Sequence, residues 1–247
     1  MREERGGDVL PPAVAILPAA GAGARMGGVP KQLRPLGDAP VLVQSARAVL
    51  RHPAVRALVV AAPPAEVEAV RTLLAAFGVG EGCAVAVVAG GATRQASVAA
   101  ALAAAPEGVT LALVHDAARP FLPGERLAAV LAAAATHGAA ALAVPVADTL
   151  RRAEGDAFGE TVPRGGLWRM QTPQAARVDL LRRALDAAAR DGFEGTDEVA
   201  LLRRIGVAVR LVEGDARNVK LTEPSDWALA EALWENWAKS GESGRSG

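Results

Sequence analysis

One cysteine, three lysines, no tyrosine and no long apolar run characterise this chain of 247 residues. A single thiol, Cys83, forms neither a disulfide framework nor a multi-thiolate zinc site, suits a reducing compartment, and reads as an inert small residue near a loop. His52, His115 and His137 stand far apart without metal-ligand spacing, which argues against structural zinc. Four Phe and four Trp are too few for a platform that stacks single-stranded bases. The 27 Lys+Arg equal the 27 Asp+Glu, so the basic excess of a general polyanion binder is missing and no nucleic-acid partner is expected. The start is charged, and the brief apolar run Val14–Leu17 is flanked by prolines, unlike a signal peptide. No segment offers about 18 to 20 strongly apolar residues, so no membrane partner is expected either. The expectation is a soluble cytoplasmic protein with an Ala/Val/Leu core.

What the sequence does contain is alternation. Short apolar runs at Val14–Leu17, Val55–Ala61, Val85–Val88, Thr110–Val114 and Ala139–Val146 read as strands. Between them, Pro40–Leu50, Pro64–Phe77, Thr93–Ala104 and Pro123–His137 read as helices. Near-continuous apolar strands alternating with helices predict an α/β fold with a largely parallel, twisted sheet covered by helices on both faces. The rhythm breaks at 148–166, a polar, Gly-rich stretch read as a protruding β-arm. Leu167–Thr172, a helix Val178–Arg190 and a short helix from Asp197 resume the pattern. Val207–Val212 and Asn218–Leu221 read as strands. A last helix from about Thr222 places Trp227, Ala230, Trp234 and Trp237 on one face. The predicted organisation is an extension over 1–12, one domain over 13–239 and a disordered Gly/Ser-rich tail over 240–247, with no second catalytic domain after Trp237.

Ligands of such sheets bind beyond the carboxyl ends of the strands. The first of these ends carries Pro18, Ala19, Ala20, Gly21 and Gly23, then Arg25 and Lys31. Glycines let the backbone approach a ligand, successive N–H groups cradle phosphate oxygens, and two cations add charge. A dinucleotide fingerprint fails, because Met26 holds the third glycine position and Ala61-Ala62 stand where a ribose-binding acid belongs. A Walker loop fails for want of Gly-Lys-Ser/Thr. Gly90-Gly91 and Asp116 end two further strands.

Residues 18–31 resemble the signature loop of the cytidylyltransferases that act on 2-C-methyl-D-erythritol 4-phosphate in the non-mevalonate route to isoprenoids. Gly90–Ser97, Val114–Pro120, Asp148-Thr149, Thr161–Trp168, Gln171–Gln174 and Asn218–Thr222 match that family in order. The resemblance spans roughly Val14 to Trp237 and implies a Rossmann-like nucleotidyltransferase fold. It implies an Mg²⁺-dependent transfer in which CTP and the polyol phosphate give a CDP-alcohol and pyrophosphate. It also implies a homodimer in which the arm of one chain completes the site of the other.

The resemblance implies residue roles too. Arg25, Lys31, Arg164 and Lys220 would be catalytic. Pro18, Ala19, Ala20, Gly21, Gly23, Gly91, Ser97 and Asp116 would bind the nucleotide. Arg119, Thr149, Arg164, Thr172, Thr196 and Lys220 would bind the acceptor. Ala92 stands where relatives often carry a carboxylate, which leaves a backbone contact there but not a side-chain one. Mg²⁺ would be held mainly by the CTP phosphates, with Asp116 as a candidate ligand.

From residue chemistry alone, Ser97 also reads as a helix N-cap, Asp116 as a strand-end cap, Lys31 and Arg164 as surface cations, and Thr196–Glu198 as a cap with first-turn acids. Arg119 either binds substrate or pairs with Asp116. His115 reads as structural, since a phosphate nucleophile is already ionised and needs no base. Two alternatives stay open: another acceptor such as ribitol 5-phosphate, and a non-catalytic nucleotide-binding regulator. Two of the three lysines, Lys31 and Lys220, fall in motifs assigned to phosphate, where a compact mobile charge differs from the rigid fork of arginine.

Overall fold

The computed structural model describes residues 10–21 and 31–241, apart from the side chain of Lys31. Arg25 and Gly23, and most of the predicted extension and tail, lie outside the described residues.

In chain order the elements are β1 (Ala13–Pro18), a 3-10 turn (Lys31–Leu33), the short pair β2 (Pro35–Leu36) and β3 (Ala39–Pro40), α1 (Val41–Leu50), β4 (Val55–Ala62), α2 (Val67–Ala76) and β5 (Ala84–Ala89). Then follow α3 (Arg94–Ala103), β6 (Leu111–Val114), α4 (Gly124–His137), β7 (Ala139–Pro145), β8 (Leu150–Glu154) and β9 (Ala157–Val162). The chain closes with β10 (Trp168–Arg177), α5 (Val178–Arg190), α6 (Glu198–Arg204), β11 (Arg210–Glu213) and α7 (Ser225–Lys239). Seven strands form one sheet in the order β11-β7-β10-β6-β1-β4-β5. All neighbours pair in parallel except β10, which runs antiparallel to both β6 and β7.

Side chains alternate across a strand, so a strand buried on both faces needs apolar residues at every position. In β1, Ala13, Ala15 and Leu17 enter one core with Leu42 and Val49 of α1, Leu74 of α2 and Leu127 and Val130 of α4. Val14 and Ile16 enter the opposite core with Val98 and Leu102 of α3, Leu181 and Leu185 of α5 and Leu201 of α6. β6 divides the same way, Leu111 and Leu113 against Ala112 and Val114. Each fully buried Leu or Val contributes roughly 1.5–3 kcal/mol of transfer free energy. The predicted three-layer arrangement is thus present, with three helices on each face.

α7 caps a third apolar cluster. Its Trp227, Ala230, Trp234 and Trp237 share one buried face with Leu36, Val41 and Phe121, and the Phe121 and Trp237 rings meet edge-on with centroids 5.5 Å apart. Trp234 lies over the β2–β3 turn at Gly37, where φ is +66° and an added Cβ would fall 2.0 Å from the indole nitrogen. Both conformation and space require glycine there.

The polar excursion is a hairpin, β8 paired antiparallel with β9, and its Phe158 is 86 % exposed. Three expectations change. Asn218–Leu221 is not a strand: Leu221 N–H bonds to the Ala118 carbonyl, and the Asn218 side chain bonds to the Thr172 carbonyl instead of joining a ladder. The strand expected over Leu167–Thr172 runs on to Arg177 and lies antiparallel to both of its neighbours. The last helix begins at Ser225, because Asp226 turns back to bind the N–H and hydroxyl of Thr222.

Candidate active site

The register sets the level of the site. Pro18 lies beside Ala61, Ala61 beside Val88, and Ile16 beside Val114. The loops after β1, β5 and β6 therefore leave the sheet together. Ala19 N–H bonds to Ala61 O at 2.8 Å, Gly90 N–H to Ala62 O at 2.8 Å and His115 N–H to Ile16 O at 2.9 Å, which fixes each exit.

These exits enclose a cavity of about 440 Å³ bordered by Pro18, Ala19, Ala20, Gly21, Gly91 and Ser97, among others. At Gly90 an added Cβ would lie 2.4 Å from the Ala20 Cβ, so the loops after β1 and β5 touch only because Gly90 lacks one. Ser97 does not cap α3. Thr93 does, accepting from Ala96 N–H at 3.1 Å. Ser97 is one turn further in, accepting from Gly91 N–H at 3.2 Å and donating to Thr93 O at 2.9 Å. Its hydroxyl holds the Gly91 loop in shape at the cavity wall. Gln32, which the sequence did not single out, performs a similar task by donating to Ala19 O at 3.2 Å.

A second cavity of about 270 Å³ is bordered by Arg119, Thr172, Gln174, Thr196, Asp197 and neighbouring groups. Arg94, Asp116 and Lys220 border both cavities and form their common wall. Asp116 is the centre of that wall. Its Oδ2 lies 3.0 Å from Lys220 Nζ and 3.3 Å from Arg119 Nε, and its Oδ1 lies 3.4 Å from Arg94 Nε. Burial alone would raise this carboxyl, but Lys220 first, then Arg94 and Arg119, hold it far below the ordinary carboxylate range. Both alternatives for Arg119 are met at once: it pairs with Asp116 and borders the second cavity. Its Nη1 also donates to Asn218 O at 2.7 Å, which ties the Lys220 loop to the wall.

His115 is fully buried, and burial pushes its pKa down to about 4. Its Nε2 lies 2.9 Å from Arg119 O, an acceptor only, so Nε2 carries the proton. Nδ1 then accepts from the Thr172 hydroxyl at 3.2 Å, and that hydroxyl accepts from Asp116 N–H at 2.9 Å. The neutral imidazole is a support for Asp116.

The sequence missed one residue of the wall, Arg94, and the residue behind it, Glu198. Arg94 opens α3, and both its terminal nitrogens pair with Glu198, at 2.7 and 3.0 Å. Glu198, expected as a first-turn acid of α6, is 2 % exposed. The cap of α6 is Asp197, which accepts from Ala200 N–H at 2.9 Å. An arginine placed at a helix N-terminus, against the dipole, was the one signal available in the sequence.

The remaining expected residues divide. Thr196 borders the second cavity. Thr149 and Arg164 are exposed on and beside the arm and border neither cavity; Arg164 donates to the Ala147 carbonyl. Lys31 opens the 3-10 turn that carries Gln32. Among the described residues no group of three or more His, Cys, Asp or Glu is arranged to hold a metal ion, and no helix is long and apolar enough to cross a membrane.

Known proteins resemble this chain over most of its length. The sequence model of 2-C-methyl-D-erythritol 4-phosphate cytidylyltransferase matches residues 13–236. A Salinibacter ruber protein of that name is 51 % identical over 227 residues, 92 % of this chain and 94 % of its own. One from Deinococcus radiodurans is 45 % identical over 90 % of both chains. The crystal structure of the enzyme of that name from Thermus thermophilus superposes with a TM-score of 0.76 at 38 % identity, covering 91 % of this chain and 99 % of that one. This chain belongs to the 2-C-methyl-D-erythritol 4-phosphate cytidylyltransferase family.

Proposed function

We propose that the chain transfers the cytidylyl group of CTP to 2-C-methyl-D-erythritol 4-phosphate, giving 4-diphosphocytidyl-2-C-methyl-D-erythritol and pyrophosphate. An ionised oxygen of the acceptor phosphate attacks the α-phosphorus in line. The bond from that phosphorus to the oxygen bridging to the β-phosphate breaks, and pyrophosphate leaves with the bonding pair. The nucleophile has no proton to lose, which accords with a neutral His115 enclosed behind Thr172.

The observation that carries this reading is the common wall. Two cavities that meet at Arg94, Asp116 and Lys220 suit two anionic substrates brought together at a cation. CTP takes the larger cavity, its base against the backbone of Ala19, Ala20 and Gly91, with Ser97 keeping that loop in place. Its phosphates lie toward Pro18–Gly21, and Arg25 and Lys31 are read as the cations that meet them. The acceptor takes the smaller cavity beside Arg119, Thr172 and Thr196, with Lys220 offsetting charge on the migrating phosphate.

Mg²⁺ belongs to this reading as a counter-ion carried in on the CTP phosphates, where it would neutralise charge. Both Asp116 oxygens already face cations, so a metal there would have to displace one or share an oxygen. Arg164 and Thr149 are read as completing the site of a second copy, a role supported by the exposed arm that carries them. A cytoplasmic location is consistent with the single free thiol.

Pyrophosphate release tests the reading. With CTP and Mg²⁺, the purified chain is expected to release it with methylerythritol phosphate and far more slowly with ribitol 5-phosphate. Faster release with ribitol 5-phosphate would shift the assignment to that acceptor. CTP binding with no release from either acceptor would favour a regulator.

A further inference from the structure

Glu198 borders neither cavity, yet it is almost fully buried and makes a two-pronged pair with an arginine that borders both. We propose that Glu198 is a positioning residue of the transfer reaction: through Arg94 it orients Asp116, and through Asp116 it locates the Lys220 ammonium between the two substrates. This rests on the cytidylyl transfer proposed above.

The geometry assigns each nitrogen. Arg94 Nη1 and Nη2 go to Glu198, so only Nε remains for Asp116, and it takes Oδ1. Oδ2 is thereby left to Lys220 and Arg119. Without the Glu198 carboxylate the Arg94 fork is free to turn and grip both Asp116 oxygens, the stronger two-bond arrangement for a guanidinium and a carboxylate. Lys220 would then lose the acceptor that fixes it.

Charge counting supports the same conclusion. Within this cluster three cations, Arg94, Arg119 and Lys220, face two carboxylates, Asp116 and Glu198, leaving one positive charge unmatched. Glu198 cancels the charge of Arg94 and leaves the excess on the side of Lys220. Stability does not explain the pair. A buried ion pair is often no more stabilising than apolar residues of the same volume, and Arg94 stands at the N-terminus of α3, where the helix dipole disfavours a cation. A local rule broken at a cavity wall points to function.

The test is steady-state kinetics of the full chain with CTP, Mg²⁺ and methylerythritol phosphate, beside thermal melting. Glu198→Gln is expected to lower kcat at least about ten-fold while both KM values change less than about three-fold. Glu198→Asp, which keeps the charge, is expected to recover part of that loss. Should Glu198→Gln melt below the assay temperature, Arg94→Met with Glu198→Met replaces the pair by apolar groups. That chain is expected to melt near the wild type and remain slow. Wild-type turnover in Glu198→Gln or in the doubly apolar chain would overturn the proposal. A wild-type chain that releases no pyrophosphate would instead refute the proposed reaction.

Discussion

Lys220 Nζ lies 3.0 Å from Asp116 Oδ2, on the wall where the two cavities meet. Asp116 is the buried partner of the pair and Lys220 the exposed one. Asp116 is anchored through its backbone N–H to Thr172 and through its carboxylate to Arg94 and Arg119. Lys220 is 40 % exposed at its side chain and is held by Asp116 at the edge of both cavities. Asp116→Asn removes the carboxylate that three cations share. We expect a fall in kcat of about a hundred-fold or more, the scale of losing one preorganised electrostatic group, with CTP binding retained by calorimetry.

The loop contact at Gly90 predicts a binding defect. An alanine Cβ there would lie 2.4 Å from the Ala20 Cβ and 2.9 Å from the Ser97 hydroxyl, so one of the two walls of the nucleotide cavity must move. Gly90→Ala is expected to weaken CTP binding about ten-fold, or about 1.4 kcal/mol. Calorimetric titration with CTP reads this, and unchanged affinity would contradict the loop geometry.

His115 gives a pH dependence of stability. Its folded pKa is depressed, to about 4, against an ordinary value of 6.5. The unfolded chain therefore binds the proton first as pH falls. The stabilisation is fully present above about pH 6.5 and is lost progressively down to about pH 4, in all about 3 kcal/mol for one group. Melting temperature should decline over that interval, and His115→Gln should flatten the decline. An equal slope in the variant would contradict the buried neutral imidazole.

The dimer implied by the proposed role of the arm, in which one copy completes the site of the other, predicts complementation. Arg164→Ala and Lys220→Ala chains are each expected to be nearly inactive. Co-expressed in equal amounts, they should regain about a quarter of the wild-type rate, because half of the dimers would be mixed and each would hold one intact site. No gain over the separate variants would place Arg164 outside the partner's site.

Much of this architecture was legible in the sequence, for a physical reason. β1, β4 and β6 are covered on both faces, so apolar residues run through them almost without a break, and the helices between have one apolar side each. The direction of β10 was not legible, because nothing in its residues encodes which way a buried strand runs; the hairpin arm reverses the chain before it. Val219 and Leu221 alternate with polar neighbours like a strand, yet Leu221 packs beneath α7 and Asn218 bonds to the Thr172 carbonyl. The loops that form the larger cavity were readable from Gly21, Gly90-Gly91 and Asp116, since strand ends and glycines are local signals. Arg94 and Glu198 are separated by 104 positions, and each looks like a charge at the start of a surface helix until the fold buries one against the other. The resemblance grouped Thr149 and Arg164 with Thr172 as acceptor contacts and placed Arg164 on an arm reaching another copy's site; within one chain both residues border neither cavity.

The most direct test is phosphorus NMR of the products formed from CTP, Mg²⁺ and methylerythritol phosphate by the wild-type chain and by Lys220→Met. A cytidyl diphosphate ester and pyrophosphate are expected in equal amounts from the wild type. Their formation should be slowed about a hundred-fold or more in Lys220→Met, with CTP still raising the melting temperature of that variant. Product formation by Lys220→Met at the wild-type rate would contradict a transfer reaction centred on the wall between the two cavities.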